Sequence, residues 1–176
     1  AFRSAVFSPT EKSGDVKVSY NTFNQQLDIN LDNFNQTISK SSVDVDSFVI
    51  YNNNSEFLKE NLLFYSSKLV TPTSKPTFYQ VLATGSKYNL YKNYNSVLDI
   101  VSTNYIQSDL RQFSIECNYY YMDNKTKEFK KLKLSRKKII DEFKAITDLS
   151  PFTDNEELNN KPEFALKKIF NTLNNL

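Results

Sequence analysis

Between Lys125 and Lys138 the chain places Lys125, Lys127, Lys130, Lys131, Lys133, Arg136, Lys137 and Lys138 against the single acid Glu128, directly after Tyr119, Tyr120 and Tyr121. Basic and aromatic side chains interleaved on a sheet can stack on sugars or bases and hold phosphates or anionic glycans. Tyr119, Tyr121, Lys131, Lys133 and Arg136 are the candidate binding residues. The plainer reading is a solvated strand edge, where lysines also discourage edge-to-edge aggregation.

Carboxylates supply the other candidates. Asp28, Asn30 and Asp32 have the spacing that opens a calcium loop, but Asn33 stands where glycine is needed and Ser39 where a bidentate glutamate is needed. On a strand these three side chains would share the solvent face. Asp44 and Asp46 would likewise share one side of a strand, the arrangement from which a paired-carboxylate hydrolase could be built. The lone Cys117 needs a base to become a nucleophile. With none in view, it reads as a buried structural thiol. Tyr88, Tyr91, Tyr94 and Tyr105 could line a groove, although strand aromatics more often form core and rim.

Other chemistries are excluded outright. The chain has no His, which removes Ser-His-Asp and Cys-His catalysis and histidine-based metal sites. Its only glycines, Gly14 and Gly85, are too few for a P-loop or a dinucleotide fingerprint. No cofactor and no metal is expected. One cysteine also rules out an intramolecular disulfide.

These residues must be positioned by a fold of 176 residues, long enough for a single domain over residues 1–176. With 14 Phe and 11 Tyr, there is ample material for a core. Lys and Arg number 22 against 20 Asp and Glu, so the long-range field is weak and argues against nucleic acid. No run of roughly 18 apolar residues predicts a transmembrane helix. The opening Ala1 to Ala5 has no initiator Met, which suits a mature product freed of a targeting segment; a chain trimmed by design reads the same.

The fold class predicted is α+β, an antiparallel β-rich body over residues 1–134, sandwich or partly open barrel, with two or three helices over 135–176 packed on it. Val16, Val18 and Tyr20, then Leu27, Ile29 and Leu31, alternate with polar residues at the period of strands, with a turn over Asn21 to Asn24. Val43 to Tyr51 changes phase, which predicts a bulge near Ser47 or burial of both faces. Asn52 to Ser55 reads as a turn, and Phe57 to Val70 as short strand and loop. Phe78 to Ala83 and Lys87 to Tyr91 flank Thr84-Gly85-Ser86 as a hairpin. Ile115 to Met122 and Phe129 to Leu134 flank Asp123 to Thr126 as another.

After Ser135, a candidate cap, the period becomes helical: Ile139, Phe143 and Ile146 form one stripe that Ile140 widens. Thr153 and Glu156 have capping-box spacing. Pro162 suits a first helical turn ahead of the stripe Leu166, Ile169, Phe170 and Leu173.

The segments VKVSYNTFNQQLD from Val16, FVIY from Phe48, FYQVLATGSKYNLYKNY from Phe78, NYYYMDNKTKEFKKLKLSRKKIIDEF from Asn118 and the terminal KPEFALKKIFNTLNNL, in this order, resemble a group of exported Bacteroidetes proteins. The resemblance covers most of the chain from about Asp15 and brings no catalytic residue with it. It implies an exported, periplasmic or cell-envelope setting. Pro151 and Pro162 interrupt a stretch that similar proteins run as a continuous helix, which implies shorter helices here.

Together these observations favour a non-enzymatic exported binding or interaction domain, with an envelope protein or an anionic glycan as partner. The alternative is a carboxylate-dependent hydrolase acting on glycans.

Overall fold

A computed structural model describes residues 3–8, 16–31, 36–51, 60–71, 75–100 and 111–176. The fold is α+β: an antiparallel β-rich body precedes the C-terminal helices. The strands are β1 (Arg3–Ser8), β2 (Val16–Asn21), β3 (Gln26–Leu31), β4 (Gln36–Ser41), β5 (Ser47–Ile50), β6 (Leu62–Ser66), β7 (Phe78–Ala83), β8 (Tyr88–Ile100), β9 (Arg111–Asp123) and β10 (Phe129–Leu132). A single helical turn, α1 (Ser67–Val70), follows β6 and is capped by the Ser66 hydroxyl. Longer helices are α2 (Arg136–Phe143), α3 (Asn155–Asn160) and α4 (Pro162–Asn175). Among the described residues no helix is long and apolar enough to cross a membrane.

Contacts divide the chain into two compact units, Ala1–Tyr79 with Asn93–Cys117, and Gln80–Lys92 with Asn118–Leu176. The division does not follow the change of period at Ser135, because the helices share a unit with the strand segments they cover.

In the first unit the strand order runs β6, β5, β1, β2, β3, β4. Register explains the core. Val18 lies opposite Ile29 and Phe48 opposite Phe64, so inward residues of neighbouring strands meet as cross-strand pairs. The Phe48 and Phe64 rings stack at 4.6 Å, and Phe78 meets Phe48 edge-on at 5.1 Å. Val18, Leu27, Ile29, Val45 and Ile50 complete the cluster. The β2–β3 turn is an Asx turn, with Asn21 Oδ1 accepting from the Phe23 and Asn24 amides at 3.1 Å each.

Gln25 closes that turn in a left-handed conformation, φ 57°, with a fully committed side chain. Its Oε1 accepts from the Tyr20 and Thr77 hydroxyls at 2.5 Å, and its Nε2 donates to the Thr22 and Tyr94 carbonyls at 2.6 and 2.7 Å. A primary amide offers two donors and two acceptor lone pairs, so nothing is left unsatisfied. Burial pushes the Tyr20 phenol upward from its usual range.

The phase change near Ser47 has a different cause from a bulge. Ser42 to Asp44 form a turn after β4, and β5 begins at Ser47. Val43 therefore points to solvent while Val45 is buried. Asp44 and Asp46 are turn residues and do not share a strand face. Asp32, Tyr105, the Asn52 to Ser55 turn and Phe57 lie outside the described residues.

In the second unit the order is β10, β9, β8, β7. One sheet face presents Leu82, Tyr88, Leu90, Tyr119, Tyr121 and Leu132, and the helices supply Ile139, Phe143, Leu158, Leu166, Ile169, Phe170 and Leu173 to the same cluster. The α4 stripe is fully buried. Pro162 opens α4 as anticipated. Ser135 occupies the α2 N-cap without a side-chain bond, and Ile146 is exposed because α2 ends at Phe143. The α3 cap is Asp154, one residue beyond the expected Thr153: Asp154 Oδ1 accepts from the Glu157 amide at 2.8 Å. Thr153 turns inward, donating to the Leu149 carbonyl at 2.9 Å.

Candidate functional site

The basic hairpin is built on a tight, internally bonded turn. Asp123 Oδ1 accepts from the Lys125 and Thr126 amides at 2.8 and 3.1 Å, and Lys127 adopts φ 60° while its amide donates to the Asp123 carbonyl at 2.8 Å. Asn124 anchors the turn sideways. Its amide donates to the Lys87 carbonyl at 2.8 Å, its Nδ2 to the Gly85 carbonyl at 2.7 Å, and its Oδ1 accepts from Asn89 at 3.0 Å. Asn174, near the end of α4, accepts from the Lys87 and Tyr88 amides and donates to the Tyr88 carbonyl at 3.0 Å. Gly85 is required there, since a Cβ would lie 2.1 Å from Asn174 Cγ.

Register then sorts the candidate residues between two faces. Tyr119 lies opposite Leu132 and Tyr121 opposite Lys130, while Tyr120 lies opposite Lys131. Directly opposed residues share a face, so Tyr119 and Tyr121 enter the helix-covered core with Leu132. Both are buried and offer no ring face to a ligand. Tyr121 donates its hydroxyl to Glu142, and burial together with that carboxylate pushes the phenol well above its usual range.

The other face carries a different aromatic group. Tyr120 and Phe129 are half-buried and stack at 5.2 Å with rings 8° apart, and Tyr91 lies 5.8 Å from Phe129. Burial raises the Tyr120 phenol. Exposed Lys131 stands beside Tyr120.

The cations also divide. Arg136 is committed to the protein, with Nε donating to the Thr153 carbonyl at 2.8 Å and Nη2 to that of Ser150 at 3.1 Å. Lys130 pairs with Glu128 at 2.9 Å and lies 4.0 Å from Glu142, contacts that raise its pKa. Lys125, Lys127, Lys131, Lys133, Lys137 and Lys138 are exposed and pair with no described residue. Of the five residues singled out from sequence, Lys131 and Lys133 thus remain available, Arg136 serves as a structural clamp, and Tyr119 and Tyr121 are core. Tyr120 and Phe129 were missed. The signal for them was the pairing of Leu132 with Tyr119, which fixes the strand's phase.

The remaining chemistry-bearing residues are engaged or isolated. Asp28 accepts from the Ser39 hydroxyl at 2.5 Å, Asp44 from the Ser41 amide and hydroxyl, and Asp46 pairs with Lys68. The Ser41 bonds hold the Asp44 carboxyl below its usual range. No group of three or more His, Cys, Asp or Glu placed to hold a metal ion occurs among the described residues. Cys117, expected to be buried, is exposed, because the helix-packed cluster takes in Tyr119 and Tyr121 of β9 and stops short of it. An open groove of about 920 Å³ runs beside α4 over Leu82, Ala83 and Phe164. Its two lysines are already engaged, Lys168 with Glu157 at 3.7 Å.

Compared with protein-family models, with curated proteins and with solved structures, the chain matches none.

Proposed function

We propose that this chain is a non-enzymatic, exported binding domain whose β9–β10 hairpin holds an anionic glycan of the cell envelope. The observation that carries the reading is the surface formed by Lys131 beside the Tyr120–Phe129 ring pair, with Lys125, Lys127, Lys133, Lys137 and Lys138 exposed and unpaired among the described residues. Ammonium groups without internal partners are free to meet sulfate or carboxylate, and half-exposed rings favour the flat apolar face of a sugar. A net charge of +2 concentrates this attraction locally and supports a short polyanion over a nucleic acid duplex. The exported setting is supported by the resemblance of the segments from Val16, Phe48, Phe78 and Asn118 to exported Bacteroidetes proteins.

Isothermal titration with a polyuronate oligosaccharide, and with a neutral oligosaccharide of the same length, tests this reading. The acidic ligand should bind and weaken as salt rises, since exposed charges are screened over about 10 Å at 0.1 M. The double change Lys131→Gln with Lys133→Gln should weaken it roughly 5- to 30-fold, about 1 kcal/mol for each exposed charge contact removed. Equal affinity for the neutral sugar, or a double variant that binds like the parent, overturns the proposal.

A further inference from the structure

Among the described residues the outer part of β9 is an open sheet edge. β10 has four residues and pairs with β9 only from Tyr119 to Met122, whereas β9 begins at Arg111. Among the described residues no strand pairs with the outer edge of Arg111–Cys117. The strongest of the devices that normally blunt such an edge are lacking, Arg111 and Glu116 being its charges. β10 carries Lys130 and Lys131, but the segment Arg-Gln-Phe-Ser-Ile-Glu-Cys has neither lysine nor proline.

Backbone direction and side-chain exposure coincide there. The Asp123 amide donates across to Glu128 on the β10 side. In an antiparallel strand the groups facing a given neighbour belong to alternate residues, so the free N–H and C=O groups on the outer edge belong to Arg111, Phe113, Ile115 and Cys117. Phe113 and Ile115 are 59% and 63% exposed, and Phe113 meets Phe23, itself 50% exposed, at 5.3 Å. An edge with open hydrogen bonds and an apolar stripe on the same residues is suited to adding a strand.

We infer that this edge pairs antiparallel with the same edge of a second copy of the chain, about a two-fold axis at Ser114. In that register Phe113 lies opposite Ile115 of the other copy in both directions, so apolar residues meet and their free amides and carbonyls bond reciprocally. Gln112 faces Glu116, and Arg111 faces Cys117, so no like charges are opposed. Moving the axis to Glu116 would set that carboxylate against itself, which disfavours the slipped register. The exposed parts of Phe23, Phe113 and Ile115 from two copies amount to roughly 700 Å² at about 200 Å² for each full side chain. Even with the backbone edges added, the area stays in the small, transient class. The pairing is therefore concentration-dependent, with a Kd on the order of 1–100 µM.

Sedimentation equilibrium of the full chain across that range should show mass rising from one copy to two. Ile115→Pro removes an outward amide while leaving the β8 side of the strand untouched. It should keep the parent's circular dichroism and melting temperature yet stay monomeric. Ser114 would face itself in a non-hydrogen-bonded pair with Cα atoms about 4.5 Å apart, within reach of a disulfide. Ser114→Cys in a Cys117→Ser background should therefore cross-link to a dimer on mild oxidation, whereas the parent's Cys117 should not. A parent that stays monomeric throughout overturns the inference, as does a dimer that survives Ile115→Pro or a Ser114→Cys variant that fails to cross-link. If Ile115→Pro does not fold, the cross-link decides alone.

Discussion

The two units bury comparable sets of aromatic residues by different means. In the first, strands supply nearly all of the described core, with Val45 added from the β4–β5 connection: Phe48, Phe64 and Phe78 interlock among themselves, and one buried amide, Gln25, satisfies four polar groups around them. In the second, a sheet face and three helices meet, so that Tyr88, Tyr121, Phe143 and Phe170 form an aromatic box with centroid distances of 5.2 to 6.3 Å. A core closed by helices leaves the opposite sheet face only partly covered, with Tyr91 buried and Tyr120 and Phe129 half-buried. That face is where Tyr120, Phe129 and Lys131 stand.

The comparison predicts where each unit breaks. Phe170→Ala should remove about 3–5 kcal/mol from the stability of the helix-closed core, as for other large-to-small changes at fully buried sites. Phe164→Ala, on the exposed side of the same helix, should stay within about 0.5 kcal/mol. Chemical denaturation of both variants checks this. Equal losses would mean that α4 uses its outer face for packing as well.

In the first unit the matching weak point is polar. Gln25→Leu strands the Tyr20 and Thr77 hydroxyls and two carbonyls together, and it should cost about 2–4 kcal/mol despite being more hydrophobic. A neutral result in thermal melts would show that water replaces the amide.

A smaller effect probes the support of the hairpin. Gly85→Ala places a methyl group into Asn174 and should destabilise by about 1–3 kcal/mol. Asn174→Ala loses three hydrogen bonds of its own. The double variant should then cost less than the two single losses added, because the collision disappears with the Asn174 side chain. Strict additivity would show that Gly85 matters for another reason.

The same contrast explains what was legible in the sequence. The α4 stripe and both hairpins could be read because amphipathic spacing and turn chemistry are local signals. β1 and β4 could not. Gln36–Ser41 is polar and exposed along nearly its whole length, and it is a strand because β3 pairs with it, Ile38 against Ile29 and Ser39 against Asp28. The candidate site was legible as composition but not as phase. Three consecutive tyrosines look alike until the cross-strand position of Leu132 decides which of them turn inward. The exposure of Cys117 likewise depends on where the helix-packed cluster ends along β9, a matter of tertiary packing that no residue within β9 encodes.

The most direct test of the account is a titration of isotopically labelled protein with the polyuronate oligosaccharide, followed by amide chemical shifts. Saturable shifts should centre on Tyr120, Phe129 and the Lys125–Lys138 segment, leave the Gln25 turn unmoved, and disappear on adding about 1 M salt, where the screening length falls to about 3 Å. No saturable shift, or shifts centred on the groove beside α4 around Phe164 and Lys168, would contradict it.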